Sequence, residues 1–215
     1  MSNFVLPDPP DVDELRSRGV RPNEIRIISA GSIWWRVHST VGAHVLAWNE
    51  FRRYGPLFRF DPHPQPVATH PNHGIWYAAQ SPISALAETF GADRTIYRTR
   101  GAPHLTGIQF TRDLTLLDVA PGGTGSWPTR AGATFALSTA PHTETQPWAR
   151  AVAAAFPDLD GIHYSSRLSG ERCIALYLPA ITAIPAHPVF SQPLTSPGLQ
   201  VRITTAADAI GYAVD

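Results

Sequence analysis

The sequence predicts a mixed α+β domain, with small mixed or antiparallel sheets and few helices. Short runs of aromatic and β-branched residues recur at 31–38, 57–60, 74–79, 105–110, 114–119, 161–164 and 173–178, each of strand length and bounded by turn residues. A clear helical stripe stands at 83–90 and little helix separates the other strands, which excludes a doubly wound parallel sheet.

The elements are expected in this order. Residues 1–30 begin Pro- and Asp-rich and read as a loosely ordered lead-in with one short helix. A first strand follows at 31–38, with Arg36 among aromatic and β-branched neighbours. Residues 41–54 fit a helix or an irregular segment. Leu57-Phe58-Arg59-Phe60 fits a short strand closed by Asp61-Pro62, and 61–73 is a loop rich in Pro and His. Tyr77 lies in the strand 74–79. Ser81 is the expected helix N-cap and Pro82 the first-turn proline. Ile83, Leu86, Ala87 and Phe90 then recur at helical spacing, and Gly91 stops the helix. Two strands are expected at 105–110 and 114–119. A mostly irregular stretch covers 121–147, with a helix near 129–138, and a short Ala-rich helix covers 148–156. Strands at 161–164 and 173–178 flank a turn around Ser169-Gly170, and the Pro-rich tail holds one strand candidate at 199–203. The expected organisation is a lead-in 1–30, a catalytic domain 31–185, and a C-terminal extension 186–215 packed on it.

Composition removes several function classes. All 17 basic residues are arginine, so neither a Schiff-base lysine nor a P-loop lysine is available. Formal net charge is zero, so no global basic field draws the chain to nucleic acid or a membrane. The single cysteine, Cys173, lies in an apolar run and reads as a buried strand residue of a reducing cytoplasm. Asp8, Pro9, Pro10 and Asp11 stand where a signal peptide needs an apolar run, and no apolar stretch approaches membrane-spanning length.

Several residues carry candidate chemistry. Glu88 lies on the helix face opposite Ile83, Leu86 and Phe90. It is either a solvated glutamate or a carboxylate facing a cleft, with the small residues Ser84 and Ala85 one turn back leaving room beside it. Tyr77 leads directly into this helix, so both can reach one cleft. Arg36 and Arg59 sit in apolar runs, where a guanidinium needs a partner. That partner is either a structural carboxylate or a ligand diphosphate gripped in bidentate fashion. Ser166 stands in the turn that follows the strand of 161–164 and is either a turn residue or a hydroxyl aimed at a site. No G-x-S-x-G elbow surrounds it. His63, His70 and His73 read as solvated loop histidines, since no zincin spacing is present, and no metal site is expected. Gly122-Gly123-Thr124-Gly125-Ser126 lacks a dinucleotide fingerprint and reads as a flexible loop.

Together these residues resemble the RES-domain family, named for an arginine, a glutamate and a serine spread along the chain. Trp35-Arg36-Val37 resembles its opening arginine strand, and Phe58-Arg59-Phe60-Asp61-Pro62 its second arginine element. Ile75 to Ser81, leading through Ala85-Leu86-Ala87-Glu88, resembles the strand and helix carrying a tyrosine and the glutamate. Gly161-Ile162-His163-Tyr164-Ser165-Ser166-Arg167 resembles the segment carrying the serine. The likeness runs from about Trp34 to Leu178. It implies a fold like that of ADP-ribosyltransferase toxins and cleavage of the nicotinamide–ribose bond of NAD+, with ADP-ribose passed to phosphate or water. Within it, Arg59, Glu88 and Ser166 are the expected catalytic residues, and Arg36, Tyr77 and Arg167 the expected substrate-binding ones. NAD+ is then a substrate, inorganic phosphate a co-substrate, and no cofactor is needed. The implied partners are NAD+, a helix-turn-helix antitoxin and, as a homo-oligomer, further copies of the chain; neither a membrane nor direct nucleic-acid contact is expected. Two other readings stay open: an ADP-ribosyltransferase acting on a protein or nucleic acid, and a non-catalytic interaction module.

Overall fold

Ser81 begins the best-marked helix as expected: its side chain accepts a hydrogen bond from the Ser84 amide at 3.1 Å, and Pro82 occupies the first turn, where a missing N–H costs nothing. The computed structural model describes residues 6–123 and 125–215. In chain order its elements are α1 (Val12–Arg18), β1 (Ile25–Ile28), β2 (Ile33–Ser39), β3 (Tyr54–Gly55), β4 (Ala68–Thr69), β5 (Trp76–Ala79), α2 (Pro82–Phe90), β6 (Thr95–Ile96), β7 (Pro103–Gln109), β8 (Leu114–Asp118), α3 (Trp127–Ala131), α4 (His142–Ala155), β9 (Gly161–Ser165), β10 (Arg172–Leu176), β11 (Phe190–Pro193), α5 (Gln200–Ile210) and β12 (Ala213–Val214).

The expected mixed architecture with few helices is present. Most strands join one sheet, in the order β1-β8-β9-β10-β5-β2-β7-β11, flanked by two small two-stranded pairs. Within the large sheet β8 and β9 run parallel; the other neighbours are antiparallel. One face packs against the helices through Leu86, Trp127, Trp148 and Ile203. The other buries Trp34, Trp76, Phe110 and Ile174 under the short 3-10 segment Leu178–Ala183. Cys173 is buried in β10, as its apolar run predicts. Among the described residues no helix is long and apolar enough to cross a membrane.

The structure corrects four local expectations. Leu57 to Phe60 is a turn rather than a strand, because the buried Asp61 carboxylate accepts the amides of Leu57 at 2.6 Å and Phe58 at 3.1 Å. This is the local side-chain capping for which Asp is suited. Residues 199–203 enter a helix. Leu199, Ile203, Ala206 and Ala207 are buried, a 3.6-residue period that outweighs the strand propensity of Val201, Ile203 and Thr204. The helix expected at 148–156 starts six residues earlier and includes Pro147. The lead-in holds β1, which pairs with β8 from Ile25↔Leu117 to Ile28↔Leu114. Thr124 of the glycine-rich run lies outside the described residues.

The tail closes on the body of the chain: β11 extends the sheet beside β7, α5 packs on α2, and β12 pairs with β6. Gly91 ends α2 in a right-handed conformation. Glycine is needed there for space rather than for handedness, since a Cβ would run into Leu168 on the neighbouring hairpin.

Candidate active site

Strands β2 and β5 are neighbours in the sheet, yet their only registered pair is Trp35↔Ala79. Beyond that pair the strands diverge, and a cavity of about 500 Å³ opens between them. Because it breaches the sheet, consecutive residues that point to opposite faces both line it: Arg36 with Val37, and Trp76 with Tyr77. The α2 helix supplies Glu88 to the wall, the turn after β9 supplies Arg167, and the turn at 58–60 supplies Arg59. The structure thus brings together Arg36, Arg59, Tyr77, Glu88 and Arg167 from five separate stretches. Ser166 lies behind the wall.

Four guanidiniums face this space: those of Arg36, Arg52, Arg59 and Arg167. Only Arg52 is neutralised locally. It bonds both oxygens of the fully buried Asp61, at 2.8 and 2.7 Å, and lies over the Phe58 ring. Arg36 donates to the Trp48 carbonyl at 3.1 Å and stacks over Trp76, 5.0 Å from its centroid. Burial foremost, and then the charge of Arg52, pull its pKa down to about 10. Arg59 is 7% exposed and donates to the Ala140 carbonyl. Burial and the nearby Arg167 lower its pKa as well. Arg167 is exposed and forms no hydrogen bond or ion pair among the described residues. Three positive charges therefore stand around one cavity without a carboxylate bonded to them. The two drawn out of water, Arg36 and Arg59, are costly to hold unless a ligand offsets them.

Tyr77 turns its ring to the cavity but commits its hydroxyl elsewhere. It donates to Asp61 Oδ1 at 2.9 Å and accepts from the Phe60 amide at 3.1 Å. Burial and the Asp61 carboxylate push its pKa well up, so it stays neutral. The aspartate thus fastens together Arg52, Tyr77 and the turn that bears Arg59.

Glu88 is exposed on α2. Ser166, 3% exposed, donates to Glu88 Oε1 at 2.5 Å and accepts the amides of Leu168 and Ser169, each at 3.1 Å. Two amide donors fill its lone pairs, so its one proton goes to the carboxylate. Ser166 is therefore a turn residue whose hydroxyl holds a cavity-lining carboxylate from outside the cavity rather than entering the cavity itself.

Sequence reasoning missed three members of the site. Arg52 sits in the unassigned segment 41–54, although its aromatic flank, Phe51-Arg52-Arg53-Tyr54, is the same signal that marked Arg36. Asp61 stands in the sequence as the end of a strand and within the second arginine element, with no sign of a site role. His142 opens α4 at the cavity wall and meets Phe58 edge-on at 6.4 Å. Burial, and then Arg59, lower its pKa. Nothing in the irregular run 121–147 marked it. Of the loop histidines, His63 is fully buried rather than solvated, with the rings of His70 and His73 centred 5.9 and 6.2 Å away. Among the described residues no group of three His, Cys, Asp or Glu side chains is placed to hold a metal ion.

No curated protein matches the sequence. A solved structure is similar in fold: a chain of the Mycobacterium tuberculosis MbcT-MbcA toxin-antitoxin complex. It superposes with a TM-score of 0.55 at 18% identity, over 90% of this chain and 96% of that one. The family model of the RES domain matches residues 33–197, past the end expected near Leu178 and into the tail that carries β11. The match spans most of the chain and includes every arginine, glutamate, serine and tyrosine on which the likeness was drawn: this protein belongs to the RES-domain family.

Proposed function

We propose that this protein cleaves the nicotinamide–ribose bond of NAD+ and passes the ADP-ribose to phosphate or water. The observation that carries the reading is the charge imbalance of the cavity. Three guanidiniums without carboxylate partners surround a space whose one wall carboxylate is Glu88. A ligand with a diphosphate offsets the surplus, and arginine forks suit phosphate oxygens. The volume of about 500 Å³ falls within the range of roughly 300–1,000 Å³ typical of small-molecule sites.

In the reaction the C1–nitrogen bond of the nicotinamide ribose breaks. Its electron pair goes to the ring nitrogen, and nicotinamide leaves neutral. The ribose becomes oxocarbenium-like until an acceptor oxygen bonds to C1 and gives up a proton. The ionised Glu88 carboxylate stabilises the positive charge as it develops. Ser166 holds one carboxylate oxygen, which leaves the other for ribose or acceptor. Arg36, Arg59 and Arg167 hold phosphates, and the Tyr77 ring offers an aromatic face for nicotinamide.

A partner that caps the site is part of the proposal. The structurally similar mycobacterial chain was solved as part of a toxin–antitoxin complex. Here Leu57 and Phe58, next to Arg59, are 39% and 50% exposed, and an antitoxin would cover them.

The test is the product spectrum of purified protein with NAD+, with and without inorganic phosphate. ADP-ribose 1″-phosphate or free ADP-ribose, with nicotinamide, is expected. Absence of NAD+ loss and of heat on titration with NAD+ would exclude the reading and favour an interaction module.

A further inference from the structure

We propose that Glu171 is a positioning residue for the Glu88 carboxylate and for Arg167, acting from outside the cavity through a directed chain of serine hydroxyls. The observations lie along one side of α2. Its N-cap Ser81, then Ser84 and Glu88, face the turn 166–171 that links β9 to β10. The turn is clamped to the helix at two levels. At the far level Ser166 donates to Glu88. At the near level the Glu171 carboxylate accepts from the hydroxyls of both Ser81 and Ser84, the latter at 2.8 Å, and the Ser84 hydroxyl also meets that of Ser169 at 2.5 Å.

Donor and acceptor rules fix the direction of this chain. An ionised carboxylate only accepts, so Ser84 gives its proton to Glu171. Ser169 must then donate to Ser84, and its own oxygen accepts the Glu171 amide at 3.3 Å. The backbone closes the turn with Ser166 N–H to the Glu171 carbonyl at 2.8 Å and Gly170 N–H to the Ser166 carbonyl at 3.0 Å. Ser169 is thus held at its side chain by Ser84, while its amide donates to Ser166. Ser166 is the residue that holds Glu88. Arg167 lies within the same turn, between the two clamps. Ser84 is fully buried, so removal of Glu171 leaves Ser169 as the remaining side-chain acceptor for its proton, which reverses the Ser84–Ser169 bond, removes the clamp between Glu171 and α2, and frees the turn to move. Displacements of about 1 Å at a reacting group cost up to about 100-fold in rate.

The kinetic arm of the test rests on the NAD+ reading; the exchange arm does not. Glu171→Ala should lower kcat for NAD+ consumption at least about tenfold, through the misplaced Glu88 carboxylate, and raise KM a few-fold, through the misplaced Arg167. Glu171→Gln keeps an oxygen that accepts from Ser81 and Ser84, and should restore kcat to within about threefold of the parent. The amides of Leu168 and Ser169 should lose hydrogen-exchange protection in Glu171→Ala and keep it in Glu171→Gln. Ser84→Ala breaks the same chain with a smaller change and should reproduce the Glu171→Ala result, which covers the case in which that variant fails to fold. A parental kcat in both Glu171→Ala and Ser84→Ala, or a Glu171→Gln enzyme as impaired as Glu171→Ala, overturns the assignment. If the parent protein consumes no NAD+, the function reading falls. The exchange data then decide alone, and unchanged protection at Leu168 and Ser169 overturns the positioning role.

Discussion

Ser166 Oγ stands 2.5 Å from Glu88 Oε1, a hydrogen bond that spans 78 residues of chain and ties a hairpin turn to a helix. It commits one oxygen of a carboxylate that lines the cavity. The same hydroxyl anchors the turn that carries Arg167. One small side chain therefore sets the position of the site's anionic residue and of one of its cations.

Ser166→Ala should lower NAD+ turnover by about 100-fold, at the lower end of what loss of one charge-stabilising contact costs. The amides of Leu168 and Ser169 lose their acceptor, so unfolding free energy should fall by about 1–3 kcal/mol. Glu88→Gln should abolish turnover while the unfolding midpoint stays near that of the parent, since Glu88 is exposed. Nicotinamide release measured beside thermal unfolding separates the two variants; equal activity of Glu88→Gln and the parent would remove the carboxylate from the mechanism.

Arg59→Met should weaken NAD+ binding strongly without a matching loss of stability. The guanidinium is buried beside Arg167, and among the described residues its hydrogen-bond partner is the Ala140 carbonyl alone; apolar replacement of a poorly paired buried charge is often neutral or stabilising. Calorimetric titration and thermal unfolding give both quantities. An unchanged dissociation constant would take Arg59 out of the phosphate role.

Tyr77→Phe keeps the ring at the cavity and deletes the hydroxyl that joins Asp61 to the Phe60 amide. Stability should fall by about 1–3 kcal/mol, and KM should rise because the turn that bears Arg59 loses a fastening. A variant with parental stability would show that the Asp61–Arg52 pair holds the turn unaided.

Acid should destabilise the protein from about pH 6.5 downward. Burial foremost, and the Arg36 charge next, hold His38 down to about 4. His63 is likewise held down to about 4, by burial against the opposing pull of Asp61. Below their ordinary pKa of 6.5 the unfolded chain takes up protons that the folded chain refuses, so stability is complete above that value and is lost as pH falls toward 4. Each histidine contributes a slope of at most about 1.4 kcal/mol per pH unit. Denaturant midpoints at pH 7, 6 and 5 should fall in that order; a flat series would mean that these histidines accept protons in the folded state.

The sequence by itself determined the elements whose signal is local. Ser81, Pro82 and the stripe Ile83-Leu86-Ala87-Phe90 define α2 because a cap and a 3.6-residue period need no distant partner. The runs around Trp35, Tyr77, Leu116 and Ile174 define strands for the same reason, and with them the family likeness. The tertiary structure decided what depends on contacts between remote residues. The helix at 200–210 forms against β-branched propensity because its apolar face finds α2. Asp61 turns an apparent strand into a loop by gathering Arg52, Tyr77 and two amides. The cavity exists because β2 and β5 part after a single pair, and no one strand's sequence encodes where two strands separate. That Ser166 closes its turn and also holds Glu88 is likewise decided only when α2 packs against the hairpin. Hydrogen bonds and charge surpluses at that distance are properties of the packed chain, not of any window along it.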